Sequence, residues 1–205
     1  MNITDERVLA AIGKIPRHEF IDSIFAEQAY ANCAFEIDEE QTISHPYTVA
    51  FQTELLELKP TDKVLEIGTG SAYQASVLAE IGVKVYTIER IRSLFKKARR
   101  MLVRLGYSMV NNKLGDGFQG WEEHAPFDKI IVTAAAPEIP KKLIEQLAVG
   151  GKMVIPVGTE AEVRSESQQL MLLIEKNEDG TITETKKGGA AFVPMLRGKE
   201  LKSRF

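Results

Sequence analysis

The 205-residue chain sets 26 Lys and Arg against 29 Asp and Glu, and a formal net charge of −3 leaves no global footprint for nucleic acid. With 44% hydrophobic and 27% charged residues it reads as an ordinary globular chain, long enough for one good core and expected to form one domain over 1–205. Cys33, the single cysteine, excludes an internal disulfide and any multi-cysteine metal site, and it fits a reducing compartment. The acidic start Met1 to Glu6 has no apolar h-region and no apolar run nears bilayer length, so a cytoplasmic protein without membrane contact is expected.

Asp5 to Gly13 reads as a short helix, with Thr4 as its N-cap and Gly13 as its stop. Pro16-Arg17-His18-Glu19-Phe20 restarts the chain, and Phe20, Ile21, Ile24 and Phe25 form an apolar face. His18 reads as a surface or capping residue in preference to a catalytic one. Tyr30 to Glu40 is irregular and ends on Glu36, Asp38, Glu39 and Glu40, a solvated acidic loop. In Gln41-Thr42-Ile43-Ser44-His45-Pro46 the proline fits the first turn of a helix, with Ser44 or His45 as its cap. Ser44 therefore has two readings: a cap alone, or a hydroxyl in the anion site that free amides make at a helix start. Phe51, Leu55 and Leu58 then recur at helical spacing until Lys59-Pro60.

Lys63 to Ile67 is β-branched and apolar, a short buried strand that runs into the turn Gly68-Thr69-Gly70. Tyr73 to Ile81 carries helical spacing, and Val83 to Ile88 is a second strand ending on Glu89. This is a βαβ unit with a nucleotide-sized gap at the carboxyl ends of its strands. The glycines let a ligand approach the main chain without meeting a Cβ. Glu89 lies about twenty residues beyond the turn, where a carboxylate accepts both hydroxyls of a ribose. Tyr73 occupies the third-glycine position of a dinucleotide fingerprint, which weakens an NAD reading, and no G-K-[ST] follows to cradle phosphate. Glu66 before the glycines would repel a phosphate but suits a cationic ligand. S-adenosylmethionine, with a sulfonium, an ammonium, a ribose and no phosphate, meets these conditions. The alternative is a turn whose glycines serve packing alone.

Beyond Glu89, Ile91, Leu94, Phe95, Ala98, Met101, Leu102 and Leu105 mark one helix face. Arg92, Lys96, Lys97, Arg99, Arg100 and Arg104 make the other, a solvated outer face rather than a nucleic-acid stripe. Ser108 to Leu114 is expected as a strand leading to Gly115-Asp116-Gly117, where Asp116 can accept from an adenine amino group and Gly117 leaves room for the ring. Phe127 to Thr133 is the next strand, followed by the small-residue loop Ala134-Ala135-Ala136-Pro137. The absence there of an Asn-Pro-Pro-aromatic tetrad argues against methylation of a base or amide nitrogen. Pro140 to Leu147 is a helix closed by Gly150-Gly151, Lys152 to Val157 a fifth strand, and Gly158 to Gln168 a polar loop. Gln169 to Lys176 and Thr181 to Lys187 form a hairpin around Asp179-Gly180, and Phe192 to Met195 precede a charged, frayed end. Three segments result: an N-terminal helical, substrate-side part (1–60), a cofactor core (61–158), and a C-terminal hairpin and tail (159–205).

Together, Pro16 to Phe20, Gln41 to Pro46, Val64-Leu65-Glu66-Ile67-Gly68-Thr69-Gly70-Ser71, Gly115-Asp116-Gly117, Ala125-Pro126-Phe127-Asp128 and Gly150 to Gly158 resemble the protein-L-isoaspartate O-methyltransferases. The resemblance runs from about Arg7 to Met195, and Gln41 to Pro46 is its most specific part because it lies outside the shared cofactor core. It implies an α/β fold: a doubly wound, mostly parallel seven-stranded Rossmann-like class I methyltransferase sheet with an antiparallel strand near one edge. It also implies methyl transfer from S-adenosyl-L-methionine to the free α-carboxylate of L-isoaspartyl residues, with S-adenosyl-L-homocysteine as product and no metal. The implied partners are isoaspartyl proteins and peptides; the sequence does not give the oligomeric state, and a monomer is favoured. By the same resemblance Ser44 is the active-site serine, and Gln41, Thr42, Glu66, Gly68, Thr69, Gly70, Glu89, Asp116 and Gly117 hold the cofactor. Thr133, Ala134 and Ala135 join Ser44 at the substrate, their main chain holding the peptide extended.

Two departures stand out. Ala72 replaces a usual glycine, which should tighten the turn. Glu36, Asp38 and Glu40 replace a usual proline and two glycines, so the loop should lose its cheap positive-φ positions and gain charge beside an anionic substrate. The rival readings are a class I methyltransferase for another carboxylate or small molecule, an NAD-dependent oxidoreductase, and a non-catalytic S-adenosylmethionine-binding module.

Overall fold

The structure, a computed structural model, describes residues 2–200. Helix α1 (Glu6–Lys14) buries Val8 and Ala11, and Asp5 rather than Thr4 caps it, with Oδ1 accepting from the Arg7 N–H at 2.9 Å. Thr4 instead donates its N–H to Glu54 Oε1 at 2.6 Å, and Gly13 lies inside the helix. Two 3₁₀ turns follow, Arg17–Phe20 and Ser23–Gln28. The expected apolar face breaks between them, because Asp22 accepts from the Ile24 N–H and starts a new turn, leaving Ile24 82% exposed while Phe20 is buried. Arg17 is buried, donates to the carbonyls of Ala29 (2.8 Å) and Cys33 (3.3 Å), and sits 5.0 Å from the centre of the Tyr73 ring.

Strands β1 (Phe35–Glu36) and β2 (Thr42–Ile43) pair antiparallel and frame the acidic loop. That loop keeps its left-handed positions without glycine: Glu39 has φ 61° and Glu40 φ 56°. Two of its carboxylates are engaged within the chain: Asp38 pairs with Lys97, and Glu39 Oε1 accepts from the Ser93 hydroxyl at 2.6 Å. Helix α2 (Pro46–Leu55) has His45 at its N-cap position with no side-chain cap, and it stops before Leu58.

Then come β3 (Lys63–Ile67), α3 (Tyr73–Ile81), β4 (Lys84–Glu89), α4 (Arg92–Arg104), β5 (Asn111–Leu114), β6 (Phe127–Val132), α5 (Lys141–Gln146), β7 (Leu147–Val157), α6 (Glu160–Arg164), β8 (Gln169–Lys176) and β9 (Ile182–Ala190). One seven-stranded sheet runs β5-β4-β3-β6-β7-β8-β9. Its first five strands are parallel, and β8 runs antiparallel to both neighbours. The doubly wound, mostly parallel sheet with one antiparallel strand near an edge is therefore present. Alternation sorts the side chains between two apolar layers. Val64, Val85, Ile131 and Val154 pack with α1 to α4, whereas Leu65, Ile67, Ile88, Ile130 and Val132 pack with Leu143 of α5 and with Phe118.

Several boundaries differ from expectation. The strand awaited from Ser108 starts at Asn111, after a turn in which the Val110 N–H reaches the Tyr107 carbonyl at 3.1 Å. Gly150-Gly151 do not close a helix but lie within β7, where the β6–β7 register shifts. A Cβ on Gly151 would meet the Ala148 carbonyl oxygen at 2.7 Å and that of Asp128 at 2.9 Å. The stretch expected as a polar loop after Val157 holds α6, started by a capping box between Thr159 and Glu162. The frayed end expected beyond Met195 falls partly on 201–205, outside the described residues. As far as Glu200 the tail is tied down: the Glu200 N–H donates to the Arg90 carbonyl at 2.9 Å, and Arg197 lies over the Phe118 ring.

Candidate active site

Strand order reverses between β3 and β6, and a crevice opens there at the carboxyl ends of the parallel strands. Its floor is the glycine turn. Gly68 has φ 98°, and a Cβ there would sit 2.5 Å from Thr133 Oγ1. The Thr133 hydroxyl itself lies 2.7 Å from the Gly68 carbonyl oxygen, stitching β6 to the turn. Ala72 adopts φ 74° fully buried, so the turn keeps the shape a glycine would give it. Left-handed backbone costs an L-residue about 1–2 kcal/mol.

Glu89 ends β4 at 4% exposure and holds both flanks of the crevice. Oε2 accepts from the Gly70 N–H and Oε1 from the Ile91 N–H, each at 2.9 Å. Burial pushes its carboxyl above the usual carboxylate range, opposed by the amides of Ile91, Gly70 and Arg90. A carboxylate has about four acceptor sites, so Glu89 retains capacity for further donors.

The opposite wall is β2 with Ser44, then Val49 and Gln52 of α2, and the tail residues Val193 to Leu196 cross the mouth. The cleft opens to solvent and spans about 820 Å³ with its open mouth included. Of the residues the sequence nominated, Gln41, Thr42, Ser44, Gly68, Thr69, Gly70, Glu89, Gly117, Thr133 and Ala134 line it together.

Glu66, Asp116 and Ala135 lie outside the lining. Glu66 shares the side of β3 that carries Val64, so it points into the layer beneath the turn; it is 0% exposed, and among the described residues neither carboxyl oxygen has a hydrogen-bond partner. Burial pushes that carboxyl up to about 8, against a pull from the Thr87 hydroxyl and with a further push from Glu89. Asp116 serves the chain itself, accepting from the N–H groups of Phe118 and Gly198, each at 2.9 Å. Ala135 has spent its main chain on the tail: its N–H reaches the Val193 carbonyl at 2.9 Å, and its carbonyl takes the Met195 N–H at 2.8 Å. The tail thus occupies the edge where an extended substrate was expected. Gly117 lines the cleft, and a Cβ there would lie 2.4 Å from Ile67 Cγ2.

Of the two readings of Ser44 the structure removes the cap: α2 starts at Pro46 with His45 at its N-cap position, and among the described residues no hydrogen bond is made by the Ser44 hydroxyl. Sequence reasoning missed Gln52, Gln74 and Arg90, which line the cleft as well. Only Arg90, adjacent to Glu89, carried a signal that could have found it. Among the described residues no group of three or more His, Cys, Asp or Glu could hold a metal, and no helix is long and apolar enough to cross a membrane.

A parallel switch point, a glycine turn free of phosphate-binding residues and a strand-end carboxylate define the class I S-adenosylmethionine-dependent methyltransferases. The protein-L-isoaspartate(D-aspartate) O-methyltransferase family model matches residues 1–200. The chain is 53% identical to a protein-L-isoaspartate O-methyltransferase of Christiangramia forsetii over 96% of its own length and 89% of the relative's. It is 53% identical to one of Geobacter metallireducens over 95% and 87%. The solved structure of a protein-L-isoaspartate O-methyltransferase superposes with a TM-score of 0.82 at 28% identity over 94% of this chain, which spans 61% of that longer chain. A Plasmodium falciparum structure solved with S-adenosyl-L-homocysteine shares the fold at TM-score 0.79 and 24% identity, covering 95% of this chain and 92% of that one. The chain belongs to the protein-L-isoaspartate O-methyltransferase family, enzymes that use S-adenosylmethionine to methylate isoaspartyl protein.

Proposed function

We propose that Ser44 holds the free α-carboxylate of an L-isoaspartyl residue in this cleft while Glu89 anchors the ribose of the cofactor. The observation that carries the first role is the idle Ser44 hydroxyl on the cleft wall, unused as a cap. The second rests on the Glu89 carboxylate beside Gly70, where no Cβ bars a ligand from the main chain. The donor set fits S-adenosylmethionine, with acceptors at the ribose end and no cradle for phosphate. When bound, the cofactor supplies an electrophilic methyl group on a sulfonium.

The chain's own residues then have a modest task. A free α-carboxyl has a pKa of roughly 3.3–3.7, so the acceptor is ionised at neutral pH and needs no general base. His45, exposed beside Ser44, is accordingly left without a proton to take. Ser44 donates to one carboxylate oxygen and aims the other, and the tail residues Val193 to Leu196 exclude water from the crevice. Thr133 and Ala134 form the wall against which the substrate lies. The methyl ester leaves the enzyme and cyclises, the following backbone nitrogen attacking the ester carbonyl and expelling methanol. Water opens the resulting succinimide to aspartyl or isoaspartyl product, so that repeated cycles repair the backbone. We take the enzyme to act as one domain and a monomer, in the cytoplasm, on damaged proteins.

Ser44→Ala tests the proposal. Loss of one charge-assisted hydrogen bond, at least 1.5 kcal/mol, should lower kcat/KM for an isoaspartyl peptide by about tenfold or more. The thermal midpoint and the affinity for S-adenosylhomocysteine should stay put, since no cap is lost. Normal turnover in a folded Ser44→Ala protein would remove Ser44 from the reaction.

A further inference from the structure

Gln74, in the first turn of α3, is 7% exposed and lines the cleft. A chain of bonds sets which end of its amide faces where. The Thr53 hydroxyl lies 2.7 Å from the Val49 carbonyl oxygen, which can only accept, so Thr53 spends its one hydrogen there. Thr53 Oγ1 must then accept from Gln74 Nε2, 3.0 Å away. Reversing the amide would bring two acceptors together, so the arrangement is directional. It leaves Gln74 Oε1 buried and without a partner. An unpaired buried acceptor costs free energy that a ligand's N–H recovers on binding.

Among the described residues nothing supplies that donor. Gln52, another amide lining the cleft, directs Nε2 to the Val132 carbonyl at 3.0 Å and to the Met171 sulfur at 3.7 Å. The two ends of the crevice differ in kind. Glu89 and Arg90 stand at the β4 end, whereas Gln74 stands across the glycine turn, beside α2. A ribose anchored at Glu89 directs the amino-acid end of the cofactor along the turn toward α2.

We infer that Gln74 Oε1 accepts a hydrogen bond from the α-ammonium group of S-adenosylmethionine and S-adenosylhomocysteine, an inference that rests on Glu89 as the ribose anchor. The amide thereby reads the charged tip of the cofactor, and a nucleoside without an amino-acid tail gains nothing from it.

Titration calorimetry with S-adenosylhomocysteine and with 5′-methylthioadenosine, which lacks the amino-acid end, tests this on wild type, Gln74→Leu and Glu89→Ala. Gln74→Leu should weaken S-adenosylhomocysteine by about tenfold, 1.4 kcal/mol, and leave methylthioadenosine unchanged. Gln74→Met, closer in shape, replaces it if the leucine variant unfolds early. Unchanged S-adenosylhomocysteine affinity, or a parallel loss for both ligands, would overturn the inference. So would a raised KM for an isoaspartyl peptide at unaltered S-adenosylhomocysteine affinity, because the donor would then belong to the substrate. Glu89→Ala should weaken both ligands, and if it weakens neither, the ribose reading fails irrespective of Gln74.

Discussion

Replacing Glu89 by alanine probes fold and function together. Sequence alone suggests a ligand-facing strand end whose loss the fold would tolerate. The structure reverses that expectation, because Glu89 is 4% exposed and accepts from Gly70 and Ile91, both at 2.9 Å. One bond fixes the glycine turn and the other the entrance to α4. At about 1.5–3 kcal/mol for each charge-assisted bond, Glu89→Ala should cost roughly 3 kcal/mol or more. For a chain of this size that corresponds to a fall of about 6–12 °C in Tm. Affinity for S-adenosylhomocysteine should drop at least about tenfold through the lost ribose contacts. Glu89→Gln retains one acceptor oxygen and should fall between the two. Thermal unfolding by circular dichroism, with and without S-adenosylhomocysteine, reads stability and binding on one preparation. A variant that melts with wild type would refute the structural argument, and one that binds the ligand normally would refute the assignment.

Two further substitutions test the turn and the buried carboxyl. Gly68→Ala places a Cβ 2.5 Å from Thr133 Oγ1 at φ 98°, so a loss of about 2 kcal/mol or more is expected in urea unfolding; wild-type stability would show that the turn shifts freely. Burial pushes the Glu66 carboxyl from the ordinary 4.5 up to about 8 in the folded chain, so the native state binds the extra proton. Its stabilising contribution is complete below about pH 4.5 and is lost as pH rises through about 8. Glu66→Gln cannot ionise and should flatten that fall between about pH 5 and 8.5; an unchanged slope would mean that Glu66 is charged throughout.

The βαβ core was legible because its signals are local. Lys63 to Ile67 and Tyr73 to Ile81 appear at the residues expected, since a β-branched run and a helical period meet at a glycine turn. Glu89 was found by its distance from that turn. Placement within the layers was less legible. Alternation sends Glu66 under the turn, but only the packed sheet shows that this side is closed. The roles of Asp116 and Ala135 depend on the tail, more than fifty residues away in sequence, and no local pattern announces a partner so distant. Gln74 was invisible for a similar reason, its orientation being set by Thr53 on another helix. The short helix α6 is a different kind of miss. Five residues are too few to show a period, although Thr159 and Glu162 spell the capping box that starts it.

The most direct test of the whole account is transfer of a labelled methyl group from S-adenosylmethionine to an isoaspartyl peptide and to its normal aspartyl twin. Base-labile methyl ester is expected on the isoaspartyl peptide alone, because only there does an isoaspartyl α-carboxylate reach Ser44. Equal labelling of both peptides, or label on neither, would contradict it.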